Sequence, residues 1–118
     1  MNQPDLWGDE TFSGVPMADI TTLFQHWVDT FSKRASTQLD ESRKKKIAAA
    51  LKAYGMDTCK QAVEGCALSP WHTGTNPNNK KYTDISLILR NADRVEFFVE
   101  MYEDEHSAEA ETNVWLSE

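Results

Sequence analysis

The residues in this sequence with the clearest chemistry are basic and aromatic. Trp71 and His72 begin a polar stretch that ends in Lys80-Lys81, and Arg43-Lys44-Lys45-Lys46 opens an alanine-rich run farther back. An indole can stack on a nucleobase or on an aromatic partner, and clustered lysines and arginines can hold phosphates. The Arg43–Lys46 run falls where a helix should start, so its charges oppose the helix dipole at a cost of roughly a few tenths of a kcal/mol each. Lys33 and Arg34 lie shortly before it. If these groups meet in space they form a phosphate-binding surface; if they do not, the run is a solvated first turn. The binding reading predicts that replacing Arg43, Lys44, Lys45 and Lys46 by Ser leaves the fold intact and abolishes nucleic-acid binding.

No catalytic pattern accompanies these residues. The sequence has no GxxxxGK[ST], GxSxG or HExxH motif. His26, His72 and His106 fall on a helix, a loop and a tail; His72 could be paired with Cys66 or Asp84, but any chain of this length offers such pairs, and a site needs its groups converging in a pocket. The expectation is a protein that is not an enzyme and takes no cofactor. Cys59 and Cys66, if on one helix, are separated by roughly 10 Å of rise, beyond the ~7 Å a disulfide tolerates. With His72 they match no zinc spacing, so both read as small buried residues and no metal is expected.

The charge is unevenly distributed. Residues 1–32 carry five acids and no Lys or Arg, a balance of −5. Residues 33–90 hold eleven bases against five acids, +6, and residues 91–118 nine acids against Arg94 alone, −8, which makes −7 for the chain. The whole protein repels nucleic acid while its centre need not. The acidic end closes with Val114, Trp115 and Leu116, an apolar cluster that could anchor in a partner's groove. The other readings of this end are a solubiliser and a segment folded back over the basic surface. No apolar run approaches the ~20 residues needed to cross a bilayer, and the first residues lack a secretory start. The expectation is a cytoplasmic protein of whichever cell makes it, with no membrane partner.

The elements that must position these groups are helical. Ile20, Leu23, Phe24, Trp27, Val28 and Phe31 form one stripe at helical period. Asp40 is placed to cap a second helix ending near Tyr54, where Gly55 supplies the stop. Asp57 reads as the cap of a third, running from Thr58 to about Leu68, with Ala62, Val63, Cys66 and Ala67 facing inward. Ser69-Pro70 ends it. Thr83 reads as the cap of a short helix from Asp84 to Leu89. Asn91 or Asp93 opens a last one through Val95, Phe98, Val99 and Tyr102. Residues 1–16, with Pro4, Gly8, Gly14 and Pro16, read as an irregular lead from which Trp7 and Phe12 could dock. Residues 103–118 read as a flexible acidic tail. The predicted fold class is all-α: a compact single domain, 17–102, of four to five short helices between flexible ends.

Residues 20–102 resemble a small helical domain of bacteriophage and prophage proteins, often the C-terminal domain of phage replication-initiation proteins and sometimes free-standing. The resemblance lies in Phe24-x-x-Trp27, Leu39-Asp40-x-x-Arg43-Lys44-Lys45-x-Ile47 and Ala62-Val63-x-Gly65-Cys66-Ala67-x-Ser69-Pro70-Trp71-His72-x-Gly74. It continues in Lys81-Tyr82-x-Asp84-Ile85-x-Leu87-Ile88-x-Arg90-Asn91 and Val95-Glu96-x-Phe98. It implies a role in phage DNA replication, through origin or single-stranded DNA or through recruitment of replication proteins such as the helicase. Relatives usually follow a winged-helix module, not found in this sequence, and carry a Gly- or Asp-rich stretch where this chain has Asn76-Pro77-Asn78-Asn79. Much of the motif also has a purely structural reading, with Pro70 and Gly74 shaping the loop, Trp71 plugging the core and Asp84 capping.

These observations lead to an expected phage-type accessory protein of DNA replication, an adaptor that binds a host or phage replication protein. The alternatives are a nucleic-acid-binding module using Arg43, Lys44, Lys45, Lys46, Trp71, His72, Lys80 and Lys81, and an acidic phage inhibitor of a host DNA-binding protein acting through residues 93–118.

Overall fold

The computed structural model describes the backbone of residues 10–117 and the side chains of residues 10–106. Two short strands, β1 (Thr11–Phe12) and β2 (Val15–Pro16), precede five helices: α1 (Met17–Phe31), α2 (Glu41–Tyr54), α3 (Met56–Ala67), α4 (Ile85–Ile88) and α5 (Ala92–Ser117). The all-α class stands, and none of the described helices is long and apolar enough to cross a membrane.

The α1 stripe is the centre of the core, as its period requires. Ile20, Leu23 and Trp27 are fully buried, with Phe24, Val28 and Phe31 packed around them. They meet Ile47, Ala48 and Ala50 of α2, Cys59, Ala62, Val63 and Cys66 of α3, Ile85 and Ile88 of α4, and Val95 and Phe98 of α5. His26 of α1 faces Glu64 of α3 at 3.1 Å. Asp40 caps α2 as expected, accepting from the Arg43 backbone N–H at 2.9 Å. Gly55, at φ 87°, ends α2 and is the sole residue between α2 and α3.

Helix α3 packs directly against α5, and Gly65 makes this possible. A Cβ at Gly65 would lie 1.8 Å from the Phe98 carbonyl oxygen, so only a glycine lets the two backbones touch. A helix-interior glycine costs up to about 1 kcal/mol relative to alanine, which this contact offsets.

Several boundaries differ from the sequence reading. The irregular lead is, from Thr11 on, an antiparallel hairpin pairing Thr11 with Pro16 and Phe12 with Val15. Its turn residues Ser13 and Gly14 both have positive φ, as a two-residue type I′ connection requires. Strands this short show no alternation to read, yet they bury Val15 and lay Phe12 against the core. Trp7 lies outside the described residues. Helix α3 starts at Met56 with Gly55 at the cap, so Asp57 sits in its first turn, and Ala67 is exposed while Gly65 takes the inner face. The cap of α4 is Asp84 and not Thr83. Of the two candidates to open α5, Asn91 does so, accepting from Arg94 N–H at 3.0 Å. Finally, the helix does not stop near Tyr102 but runs through the acidic segment to Ser117. Apolar period marks a buried face, not helicity. The segment has no Gly or Pro and is rich in Ala and Glu, both strong helix formers.

Candidate functional site

The segment between α3 and α4 is polar in sequence yet held by its own hydrogen bonds. Asn76 organises it: its Nδ2 donates to the carbonyls of Trp71 and Lys80, both at 2.7 Å, and its Oδ1 accepts from Asn78 N–H and Lys80 N–H, both at 3.1 Å. Tyr82 N–H donates to the His72 carbonyl at 2.7 Å, closing the loop on itself. Gly74 at φ 121° and Asn79 at φ 51° supply the turns that this path needs.

The closed loop presents aromatic rings in a fixed order. Trp71 stacks on Tyr82 with centroids 5.0 Å apart and planes 13° from parallel. It remains 49% exposed, so it does not plug the core but offers its other face to solvent. His72 lies edge-on between Trp71 and Phe98, at 5.0 and 4.8 Å, with Phe97 beside it.

The environment of the His72 imidazole disfavours its charged form. Its Nδ1 is 2.7 Å from Ser69 Oγ, which itself accepts the His72 backbone N–H at 3.3 Å. The direction of the Ser69–Nδ1 bond follows the imidazole tautomer, since the hydroxyl can both donate and accept. Burial and, secondarily, the Arg94 charge lower the imidazole's pKa from 6.5. His72 thus pairs with Ser69, not with Cys66 or Asp84. The Cys66 thiol, pushed up to about 12 by burial, points at the Tyr82 carbonyl, and Cys59 is raised to about 11 the same way. Both are free buried thiols.

Trp71, His72 and Tyr82 form one wall of a cleft of about 430 Å³, with Lys80 and Lys81 from the loop. Leu87 of α4, Arg90 of the link after it, and Arg94 and Phe98 of α5 close it. Its size is at the lower end for a small-molecule site. No Asp or Glu lines it, and among the described residues none of its four cations pairs with a carboxylate. Lys80 Nζ stands 5.5 Å from the Tyr82 ring centroid.

Of the residues expected from sequence to bind, Trp71, His72, Lys80 and Lys81 come together here, and the Arg43–Lys46 run does not join them. Arg43 is a scaffold residue: Nη1 donates to the Gln38 carbonyl at 2.7 Å, Nη2 to Asp84 Oδ2 at 2.9 Å, and its guanidinium lies 5.1 Å from the Trp27 ring centroid. Lys44 leans over Phe12, Lys45 is exposed, and Lys46 reaches the Arg90 carbonyl at 3.5 Å. A helix sends successive residues to different faces, so four adjacent cations could not line one cleft. The side chains of Val114, Trp115 and Leu116 lie outside the described residues.

The same geometry gives structural roles to other residues around the loop. Trp27 Nε1 donates to the Thr83 carbonyl at 2.7 Å. Asp84 accepts from Ser86 N–H at 2.8 Å while pairing with Arg43. Burial alone would raise the Asp84 carboxyl, but the bonds from Arg43 and Ser86 outweigh it and hold it below 3.8. Arg90 and Arg94 were missed as site residues. The available signal was Arg94, the one cation of an acidic segment, a helical turn before Phe98.

Compared with protein-family models, curated proteins and solved structures, the chain finds no match.

Proposed function

We propose that this protein binds single-stranded nucleic acid through the Trp71 cleft, in the setting of phage-type DNA replication that its sequence resemblance implies. The observation that carries this reading is a half-exposed indole braced by Tyr82 and flanked by Lys80, Lys81, Arg90 and Arg94 with no acid in the lining. A base stacks on the open face of Trp71, while the four cations take the neighbouring phosphates. Stacking on an aromatic contributes about 1–3 kcal/mol per base and tolerates any sequence. The net charge of −7 works against binding, and the local excess of four cations with no acid in the lining is what favours it.

Salt dependence tests the reading. Four phosphate contacts on a single strand give a slope of log affinity against log salt of about −3. Titrating a labelled oligothymidylate with the full chain at several salt concentrations should return a slope at least that steep. No binding at low salt, or affinity indifferent to salt, refutes it.

A second reading, the protein-binding adaptor of the replication machinery, is favoured by a different observation. Leu68, Leu87 and Phe97 are exposed like Trp71, and Trp and Arg are the residues on which protein interfaces most often depend. Capture of a replication protein that survives high salt and is lost in Phe97→Ser supports it over the first.

A further inference from the structure

A second cleft, of about 380 Å³, lies beside the first, and Lys81 lines both. Its wall is mainly polar where the first is aromatic. Lys33 and Arg34 come from the connection after α1, joined by the hydroxyl-bearing Thr37, Thr73 and Thr83. We propose that this cleft is the phosphate subsite for the next nucleotide of the strand, so that the smallest complete ligand is a dinucleotide laid across Lys81. This inference rests on the nucleic-acid reading of the Trp71 cleft and deepens it.

Three observations support the assignment. First, the cleft is lined by cations and hydroxyls with Phe31 as its one aromatic, and charged donors beside hydroxyls suit a phosphate. Second, Lys33 is fixed in place: its Nζ donates to Thr83 Oγ1 at 2.9 Å and lies 5.0 Å from the Trp27 ring centroid and 5.6 Å from that of Phe31. Burial, and further the nearby Arg43 and Lys81 charges, lower its pKa, with Asp84 opposing. Lys33 and Lys81 repel each other, and a bound anion between them relieves that repulsion. Third, Arg34 is exposed and forms no ion pair among the described residues, so its guanidinium is available to a ligand. The aromatic cleft thus holds the base, and the polar cleft holds the phosphate that follows it.

The test uses thymidine 5′-monophosphate and thymidylates of two and four nucleotides, titrated by NMR into the full-length chain and its Arg34→Gln and Arg34→Lys variants. Lys33 is left alone because it also packs on Trp27. Going from one nucleotide to two should tighten binding about tenfold in the wild type. Arg34→Gln should erase that gain while leaving the monophosphate affinity unchanged, and Arg34→Lys should restore part of it. The tetranucleotide's salt slope should fall by about 0.7 in Arg34→Gln. A monophosphate that binds with no gain on lengthening, or a gain that survives Arg34→Gln, overturns the second subsite and leaves the first cleft standing. Absence of binding by all three ligands overturns both.

Discussion

Replacing Arg43 by Gln separates a scaffold role from a binding role for the most conspicuous charges in the sequence. The Arg43 side chain is 20% exposed and its partner Asp84 39%, so the pair stands between a surface ion pair, worth about 0–1 kcal/mol, and a buried one, whose breaking costs about 3–5 kcal/mol. About 2 kcal/mol is the reasonable middle. Loss of the guanidinium from the Trp27 ring adds about 0.5–1 kcal/mol, and the Gln38 carbonyl loses its donor. Because these contacts share one side chain they do not simply add, and a total of about 2–3 kcal/mol follows. Lys45→Gln, on the same helix turn but without described contacts, should change stability by less than about 0.5 kcal/mol. Urea unfolding followed by circular dichroism reads both. The pH gives a second handle. Asp84 has its folded pKa depressed, so the stability it contributes is present at neutral pH and is lost as the pH falls below 3.8. The gap between wild type and Arg43→Gln should therefore narrow below that pH while both remain folded. Equal stability of Arg43→Gln and Lys45→Gln at pH 7 would refute the scaffold role, as would a gap that stays constant on acidification.

Gly65→Ala should destabilise the domain by at least about 3 kcal/mol, at or beyond the usual range for overpacking, because the atom it meets is the Phe98 backbone carbonyl and not a movable side chain. A melting temperature within a degree or two of wild type would contradict the close approach of α3 and α5. Cys59 and Cys66, with pKa values raised to about 11 and about 12 by burial, should resist a thiol reagent at pH 8 in the native protein and react in urea; rapid native labelling of either contradicts their placement. His72 should titrate below 6.5 by NMR. Its folded pKa is lowered, so its contribution to stability is present above 6.5 and is lost as the pH falls through its folded value. A midpoint at or above 6.5 refutes the burial and charge placement around His72.

The parts of the fold that were legible in the sequence are those where local pattern and burial agree. The stripe from Ile20 to Phe31, the Asp40 cap and the Gly55 stop each follow from one helix and its ends. Other features depend on what packs against them. Gly65 reads as an ordinary small residue until α5 is laid across it. Val15 reads as part of a loop until the hairpin brings it to the core. Helical period located the apolar residues and said nothing about a helix that needs no burial, so the continuation of α5 beyond Tyr102 was missed. For the site, Trp71, His72, Lys80 and Lys81 stood out because an aromatic and cations on a polar loop have few structural uses. Arg43 was misleading for the opposite reason: its charge is visible in sequence, whereas its partners Gln38, Asp84 and Trp27 are joined only by the fold. Arg90 and Arg94 reach the cleft from beyond α4, and no spacing rule connects them to Trp71.

The nucleic-acid reading depends on one exposed indole face. The direct measurement is the affinity of the full chain for a labelled single-stranded oligonucleotide at low salt, compared between wild type, Trp71→Ala and Lys45→Gln. Trp71 is half exposed, so its removal should leave the fold standing. Loss of one stacked base at about 1–3 kcal/mol corresponds to roughly 5- to 150-fold weaker binding. Trp71→Ala should show a loss in that range and Lys45→Gln a change of less than about twofold. Undiminished binding by Trp71→Ala, or a loss confined to Lys45→Gln, would place the interface on the α2 basic run and contradict the assignment to the Trp71 cleft.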